Sequence, residues 1–465
     1  MWAESHLREV TSMQQREPTE RPPGPRGLPW LGKALSYARD PVAFAGSMIN
    51  GHKPIGHIRS CGWSFYFLST PDAVEEGFIG KARKSIKAPF LRGIDEVLGA
   101  GLLVAEGDAW RKQRKLVQHA FMPEQVLSWL PVMSRRCDVV LEGWDVTAPI
   151  AIDQAMMSLT LDIMSHSILG ADLRLAHGSI KDAVDEIAKF FEFVVTPHGF
   201  LLRKFPTPAR SRFLRSARVL DELIYRLIEA SLTAAEPQPS LLTRLAHAWR
   251  DADGDFERKL LRDDLLTIFL AGHETTALTL TYALNLLAQH PEIQVRAAAE
   301  TAGVDVVDYA LFSDAAKLPL VRAIIRETLR LYPPAWIFAR EITGDDTLLG
   351  YSLPKGSVIV TSPWWIHRQQ EVFPEPDSFK PDRWSGGLVE RLSPGTYLPF
   401  GIGPRRCVGQ LFAEAELVVA LVGLLKRFGF QKTTDALPRL QPAITIRPRH
   451  PVLLRVVQND GLNRI

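Results

Sequence analysis

A ten-residue segment near the carboxyl end, residues 400–409, holds one cysteine in a run of glycines and arginines and reads FGIGPRRCVG. Gly401 and Gly403 permit backbone conformations that a Cβ would forbid, and the proline after them fixes φ, so the segment can pass close to a flat ligand. An apolar, helix-forming run begins at Gln410. We therefore expect Cys407 at a helix N-terminus, where the positive end of the helix dipole favours thiolate over thiol.

A lone cysteine has two more ordinary explanations. Buried cysteine usually acts as a small hydrophobic residue. Structural zinc needs clustered ligands, whereas Cys61 and Cys137 stand far from Cys407 and form no Cys-x-x-Cys pair. Taken alone, the segment favours the hydrophobic explanation, and only further motifs change that balance.

Composition narrows the class of protein. The 465 residues include 55 basic and 52 acidic side chains, a net charge of +3 that is too balanced to indicate nucleic-acid binding. Three widely separated cysteines make no disulfide framework and fit a reducing cytoplasm. Residues 1–21 are rich in charge and lack the apolar stretch of a signal peptide or membrane anchor. We expect a cytoplasmic protein with a loosely held segment 1–20 and one domain over 21–465.

The elements predicted from sequence are mainly helical. Helical patterns cover roughly residues 108–121, 124–142, 154–169, 179–194, 209–234 and 257–290. A strand pair is predicted around Cys61 and Gly62 within residues 55–69, and short strands such as 358–360 follow a Tyr-Pro-Pro turn at 332–334. The fold class is therefore mainly α with a small β region.

The longest predicted helix has an unusual middle. Residues 271–276 read AGHETT and interrupt an apolar run with a glycine, an acid and two hydroxyls. Glycine costs about 1 kcal/mol in a helix, so such a departure indicates a functional site. Glu274 beside Thr275 could relay protons from water into a dry pocket. The alternative is that both side chains face solvent on an amphipathic helix.

The cysteine segment has the pattern Phe-Gly-x-Gly-x-Arg-x-Cys-x-Gly, which resembles the haem-binding signature of the cytochrome P-450 family. Residues 271–276 resemble that family's oxygen-activation motif, and residues 327–330, 381–384 and 110–114 resemble three further motifs. The resemblance implies a cytochrome P-450 fold that binds haem b (iron protoporphyrin IX), with Cys407 as the axial ligand of the iron.

The resemblance also assigns roles to other residues. It implies that Glu274 and Thr275 deliver protons, with Ala271 and Gly272 leaving room for oxygen. Glu327, Arg330 and Arg383 would form a buried charge network that holds the cysteine loop, although Asp382 and Trp384 depart from the commonest residues of that motif. The expected haem contacts are Trp110, Arg114, Ala271, Arg340, Phe400, Arg405, Cys407 and Gly409, of which the arginines and Trp110 would bind the propionates.

The segments that resemble the family's substrate-contacting regions are apolar. They predict a pocket lined by Phe90, Leu91, Phe193, Phe269, Trp336, Ile337 and Phe338. Apolar pockets gain affinity by removing surface from water, which favours a lipophilic substrate such as a terpenoid or fatty-acyl compound. Lys87 and Arg92 are the exceptions, and either could hold a carboxylate if it pointed inward.

The function implied is a monooxygenase that inserts one oxygen atom from O2 into the substrate. Electrons would come from an external ferredoxin and ferredoxin reductase, and we expect neither nucleic acid nor a membrane anchor as a partner. Two alternatives stay open: a peroxide-driven or isomerising haem-thiolate enzyme, and a non-catalytic haem carrier or gas sensor. Sequence leaves the substrate, the natural redox partner, the family branch and the oligomeric state undetermined.

Overall fold

The structure is a computed structural model of the chain. It describes residues 21–29, 31–173, 177–194, 203, 205–234, 239–253, 258–308, 312, 314, 317–434 and 438–459. The segment 1–20, expected to be loosely held, lies outside these residues.

Local capping signals start several of the helices. The Asp40 carboxylate accepts a hydrogen bond from the backbone N–H of Ala43 at 2.9 Å, and the Thr207 hydroxyl accepts one from Arg210 at 3.1 Å, each just before a proline at the first helical position. The helices are α1 Ala34–Arg39, α2 Pro41–Gly51, α3 Pro71–Glu75, α4 Asp95–Leu98, α5 Gly107–Ala120, α6 Pro123–Ser128, α7 Leu130–Glu142, α8 Ile152–Met164, α9 His177–Val194, α10 Pro208–Thr233, α11 Leu241–Asp253, α12 Arg258–Gln289, α13 Pro291–Thr301, α14 Pro319–Leu331, α15 Pro363–Ile366, α16 Leu388–Arg391 and α17 Gln410–Arg427.

The strands form small sheets beside the helices. They are β1 Ile55–Ser60, β2 Trp63–Leu68, β3 Ser85–Lys87, β4 Ile150–Ala151, β5 Phe338–Ile342, β6 Asp346–Leu348, β7 Tyr351–Leu353, β8 Val358–Thr361, β9 Phe428–Lys432, β10 Leu440–Pro442, β11 Ile446–Pro448 and β12 Leu453–Gln458. The largest sheet has the order β1-β2-β8-β5-β3, and β1 and β2 pair antiparallel with Ile55 opposite Leu68. The predicted strand pair is thus confirmed, as is a mainly helical fold with a small β region.

Helix α12 runs through the middle of the helical core. Its 32 residues give a length of about 48 Å at about 1.5 Å per residue. It packs closely on α8, where the Thr160 hydroxyl donates to the carbonyl of His273 at 2.9 Å. Gly272 does not interrupt the helix. A Cβ at this position would lie 2.5 Å from Cε of Met164 on α8, so a larger residue would require the Met164 side chain to move.

Two apolar cores support the site. The larger joins the faces of α7, α8, α12, α14 and α17, and the smaller lies between the β1-β2-β8-β5-β3 sheet and α2. Among the described residues, no helix is both long enough and apolar enough to cross a membrane.

Candidate functional site

A cavity of about 620 Å³ lies between the long helix α12, the sheet and the cysteine segment. The turn after α4, helix α9 and the loop between β10 and β11 complete its walls. Its lining is mostly apolar, and apart from Lys33 at the start of α1 its charged groups lie in two places: beside the cysteine segment and on the wall formed by α9, α12 and β11. These two places define the site.

The cysteine segment closes into a tight loop. The backbone N–H of Cys407 donates to the carbonyl of Phe400 at 2.8 Å, and Arg406 N–H donates to Gly403 at 3.0 Å. Gly401 and Gly403 have φ of 79° and 68°, in the left-handed region that favours glycine. A Cβ on Gly403 would also lie 2.9 Å from the carbonyl oxygen of Phe78. The predicted need for special backbone conformations is confirmed at both glycines.

The electrostatics of Cys407 differ from the sequence expectation. Cys407 lines the cavity, but α17 begins three residues later at Gln410, with Gly409 at its N-cap. Burial raises the pKa of the Cys407 thiol, and the Gly409 N–H and the Arg114 guanidinium offset this only in part. Burial of Cys407 therefore opposes the thiolate that the sequence analysis expected from the helix dipole, and that expectation stays a prediction. A coordinated metal ion would deprotonate the thiol outright.

Four half-buried cationic side chains line the cavity beside Cys407, namely Lys87, Arg114, Arg340 and Arg405, and the exposed Arg406 lies next to them. Burial lowers the pKa of Arg405 to about 10 and lowers those of Lys87, Arg114 and Arg340, and Lys87, Arg340 and Arg405 act on one another. Among the described residues, Glu106 is the carboxylate that opposes them. The group therefore has more positive than negative charge in a poorly solvated place, which suits a ligand with two carboxylates.

The contacts around Glu106 hold this cationic group together. Its carboxylate forms an ion pair with Arg405 and accepts a hydrogen bond from the backbone N–H of Lys87 at 2.7 Å. The Arg405 guanidinium lies 4.0 Å from the centre of the Trp110 ring. Arg114 donates to the carbonyl of Arg406 at 2.7 Å, which ties α5 to the cysteine loop. Cationic side chains above a thiol, with Trp110 beside them, fit the propionates and iron of haem.

Helix α12 brings the predicted acid and hydroxyl to the cavity. Ala271, Glu274 and Thr275 all line it, and the Thr275 hydroxyl donates to the carbonyl of Ala271 at 2.9 Å. Gly272 lines the cavity too, with the Met164 thioether against the place that a Cβ would occupy, and the expectation that Ala271 and Gly272 leave room for oxygen stays a prediction.

Glu274 is paired, not free. Its carboxylate lies 2.5 Å from Nε of Arg447 and accepts a hydrogen bond from the Thr445 hydroxyl. Burial raises its pKa, but Arg447 and Thr445 lower it by more, so the pKa of Glu274 is below its ordinary value. In this arrangement Glu274 is a carboxylate.

The predicted pocket residues divide into two groups. Phe90, Leu91, Ile337 and Phe338 line the cavity. The structure does not bring Phe193, Phe269 and Trp336 to it.

Each of these three side chains has another neighbour. Phe193 packs near the Phe190 ring, at 6.2 Å between centroids, and leaves Phe191 to face the cavity. Phe269 is fully buried, because the 100° turn per helical residue directs Ile268 to the cavity and its neighbour into the core. Trp336 donates its indole N–H to the carbonyl of Ala443 at 2.9 Å.

The Glu327 carboxylate lies at the centre of a buried network. Arg330 donates to both of its oxygens at 2.8 Å, Arg383 donates to it at 3.0 Å, and the Trp384 indole donates at 2.9 Å. Glu327 and Arg330 are both 0% exposed. Paired and hydrogen-bonded in this way, the charges are compatible with burial.

This network reaches the cysteine loop through His367. Arg330 donates to the carbonyl of His367 at 3.1 Å, and the imidazole Nε2 accepts from the N–H of Leu398 at 2.9 Å, two residues before Phe400. Burial lowers the pKa of His367 to about 3, so its imidazole is neutral and can accept that bond. The network therefore anchors the start of the loop.

Sequence reasoning did not assign several charged residues of the site. Glu106 and the cofactor-facing position of Lys87 were missed, although Lys87 had been considered for a substrate carboxylate. Arg447 and Glu192 were missed on the opposite wall. The side chain of Arg92 is not among those described. An acid four residues before Trp110, at the expected start of its helix, is a usable signal for Glu106, whereas Arg447 carries no local motif.

Comparisons with known proteins agree with this geometry. The family model for cytochrome P450 matches residues 22–455. Cyclooctatin synthase of Streptomyces melanosporofaciens is 31% identical over 436 residues, 91% of this chain and 93% of that protein. Pentalenene oxygenase of Streptomyces avermitilis is 30% identical over 439 residues, 93% and 96% of the two chains. The solved structure of retinoic acid-bound cyanobacterial CYP120A1 aligns with a TM-score of 0.81 at 24% identity, over 94% of this chain and 99% of that one.

Proposed function

The chain belongs to the cytochrome P450 family, and we propose that it hydroxylates or epoxidises a terpenoid or similarly lipophilic substrate in the cavity above Cys407. As a P450 it is a haem-binding monooxygenase that needs O2 and a source of electrons. The observation that carries the substrate class is the apolar lining of the 620 Å³ cavity. The names of the relatives, cyclooctatin synthase and pentalenene oxygenase, support a terpenoid over a fatty-acyl compound.

Haem would be held by Cys407 through the iron and by the cationic group through the propionates. To Arg114, Arg340 and Arg405 we add Lys87, which lines the same part of the cavity. Phe400, Gly409 and Ala271 also line it, and Trp110 supports Arg405. When bound, haem with a thiolate ligand supplies the chemistry that cleaves O2 and transfers one oxygen atom to the substrate.

The protein's own residues would control protons and water. We assign proton delivery to Glu274 and Thr275, which are adjacent on α12 and both line the cavity. The Thr275 hydroxyl can rotate from the Ala271 carbonyl to donate into the cavity, and a protonated Glu274 can then replace the proton it gives up. The apolar walls exclude the water that would otherwise deliver protons without control.

The electron donors we propose are a ferredoxin and a ferredoxin reductase. The family match occupies residues 22–455, so those residues contain no separate flavin or iron–sulfur module. Reconstitution with a ferredoxin and its reductase should support turnover. A flavoprotein reductase that transfers electrons directly, without a ferredoxin, should not support it. The opposite preference would reject this choice of donor.

One spectrum tests the cofactor assignment. The reduced carbon monoxide complex of the parent should show the red shift typical of a thiolate ligand, and Cys407→Ala should lose it. Cys137→Ala is the matched control, because Cys137 is buried on α7 away from the cavity lining. A parent spectrum without the shift would favour a haem carrier or gas sensor. Retention of both shift and oxygenation in Cys407→Ala would reject Cys407 as the ligand.

A binding panel tests the substrate class. Pentalenene, a steroid and a C14 fatty acid should be titrated separately into the haem-loaded enzyme while the haem absorption spectrum is followed. We expect pentalenene to produce the strongest shift. Tight binding by the fatty acid alone would overturn the terpenoid proposal and would point to a cation in the cavity as its partner.

A further inference from the structure

Arg447 on β11 lies between two carboxylates from different helices. Its Nε is 2.5 Å from Oε1 of Glu274 on α12, and its Nη1 is 3.1 Å from Oε1 of Glu192 on α9. All three side chains line the cavity and are largely buried, with 24%, 14% and 21% of Arg447, Glu274 and Glu192 exposed. One guanidinium is therefore shared by two acids on one wall.

The hairpin formed by β10 and β11 reinforces both contacts. The Thr445 hydroxyl donates to Oε1 of Glu274, and the Gln441 amide donates to Oε2 of Glu192 at 3.3 Å. This hairpin therefore holds each acid by two groups. A small displacement of α9 relative to the hairpin would change how Arg447 divides its contacts between them.

The contact with Arg447 has a cost for proton delivery. A carboxylate held by a guanidinium and a hydroxyl is stabilised in its ionised form and does not donate a proton. Glu274 can act as a relay only when that contact weakens. Glu192 is already close enough to take the guanidinium over, so Arg447 keeps a carboxylate partner throughout the exchange.

The two elements that hold Arg447 and Glu192, the hairpin and α9, both line the cavity. Helix α9 lines the cavity through Val184, Ile187 and Phe191, close to Glu192 in the same helix. The hairpin lines it through Ile444, next to Thr445. A molecule that fills the cavity therefore touches the two elements whose separation sets the position of Arg447.

We propose that Arg447 is a positioning residue that moves its stronger contact from Glu274 to Glu192 when a substrate fills the cavity, which frees Glu274 to relay protons. Each cycle is balanced: the solvent supplies one proton, as hydronium, to the Glu274 carboxylate, Thr275 donates its hydroxyl proton into the cavity, and Glu274 passes its proton to Thr275. Glu274 ends as a carboxylate and pairs with Arg447 again. This inference rests on the proposed role of Glu274 and adds a condition for it.

Other charged groups surround these three residues and stay unchanged in the test. They are His273 on α12, and Asp185 and Lys189 on α9.

The first measurement compares the enzyme with and without pentalenene in the cavity. The haem-loaded enzyme is reduced with dithionite without oxygen and mixed with aerated buffer, and the return of the oxidised spectrum is timed in H2O and D2O. With pentalenene, Glu274→Gln should slow this return by about 100-fold, the weight of a general acid. Without pentalenene, Arg447→Gln should speed it by about tenfold, because Glu274 is released, and Arg447→Lys should return it toward the parent rate. With pentalenene, Glu192→Gln should slow it, because Arg447 keeps only Glu274.

The second measurement does not depend on reactivity. Infrared titration of the haem-loaded enzyme follows the carboxylic-acid band of Glu274, identified by its loss in Glu274→Gln. Arg447→Gln should move this titration to higher pH and Glu192→Gln to lower pH. Arg212→Gln is the matched control. It removes the ion pair, at 3.0 Å, between Arg212 on α10 and Glu186, which lies on α9 like Glu192, and it should shift neither the rate nor the titration.

The outcomes separate two failures. An unchanged rate in Glu274→Gln with pentalenene bound would overturn the proton relay itself. A slowed Glu274→Gln, together with changes of the same sign in Arg447→Gln and Glu192→Gln, would overturn only the exchange of partners. Opposite changes of rate in these two variants support the exchange of partners. A purely structural role for Arg447 predicts a slower rate in both.

Discussion

Replacing Glu416 by glutamine should remove a pH dependence from the stability of the fold. Glu416 lies on α17 and is 0% exposed, and neither carboxyl oxygen has a hydrogen-bond partner of normal geometry among the described residues. Burial raises its pKa from 4.5 to about 8, with a smaller opposing effect from the Thr276 hydroxyl. The folded protein therefore keeps this side chain neutral at pH 7, whereas the unfolded chain ionises it.

The sign and size follow from these two pKa values. Between about pH 4.5 and 8 the folded state binds one proton more than the unfolded state, so the free energy of unfolding falls as pH rises. The slope is about 1.4 kcal/mol per pH unit, or about 3 kcal/mol between about pH 5.5 and 7.5. The contribution of Glu416 is fully present below its unfolded pKa and is lost as pH rises through about 8.

Urea unfolding of the haem-loaded protein at several pH values measures this slope. Glu416→Gln should lack it, because glutamine has nearly the shape of the protonated acid and does not titrate. Glu414→Gln is the matched control, since Glu414 is half-buried on the same helix and accepts from Gln410 at 2.8 Å. Equal pH slopes in the parent and in Glu416→Gln would show that Glu416 is solvated or paired.

Three further predictions concern the loop, the network and the relay. Thr275→Ala should lower the ratio of product to reductant consumed and release more hydrogen peroxide; an unchanged ratio would exclude Thr275 from proton delivery. Arg330→Ala should lower stability by about 3–5 kcal/mol and reduce haem content, because it removes the partner that binds both oxygens of the buried Glu327 carboxylate. Parent-like melting of Arg330→Ala would contradict that. Gly403→Ala should cost about 1–2 kcal/mol in loop stability at its φ of 68° and lower haem content, whereas Gly178→Ala, which has open space around it, should not. Haem content measured by absorbance in the two glycine variants tests this difference.

Sequence predicted the long helices because their signals are local. Apolar periodicity placed the central helix at 257–290, and the structure has it at Arg258–Gln289. Glu327 and Arg330 were expected to pair because three residues place them on one helix face, and they do pair. Arg383 required the resemblance to a known motif, since 53 residues separate it from Arg330 and no local pattern indicates their meeting.

Apolar composition was a weaker guide to the cavity than helical geometry. Phe269 and Ile268 are equally apolar, yet the direction of each side chain from α12 sends one to the core and the other to the cavity. Trp336 was expected in the pocket next to Ile337, but its indole N–H needs a buried acceptor and finds it in the carbonyl of Ala443. A sequence shows which residues avoid water, but the packing of neighbouring elements decides which surface they cover.

The charged residues of the site were the hardest to predict, because their function depends on an imbalance created by the whole fold. Beside Cys407, cations from β3, α5, β5 and the cysteine loop meet around Glu106, leaving positive charge for a ligand. On the opposite wall, acids from α9 and α12 share Arg447 from β11. Neither imbalance appears in a net charge of +3. Buried charge requires partners, so the first wall favours an anionic cofactor and the second retains its protein partners. In the function we propose, this difference assigns the cofactor to one wall of the cavity and the control of protons to the other.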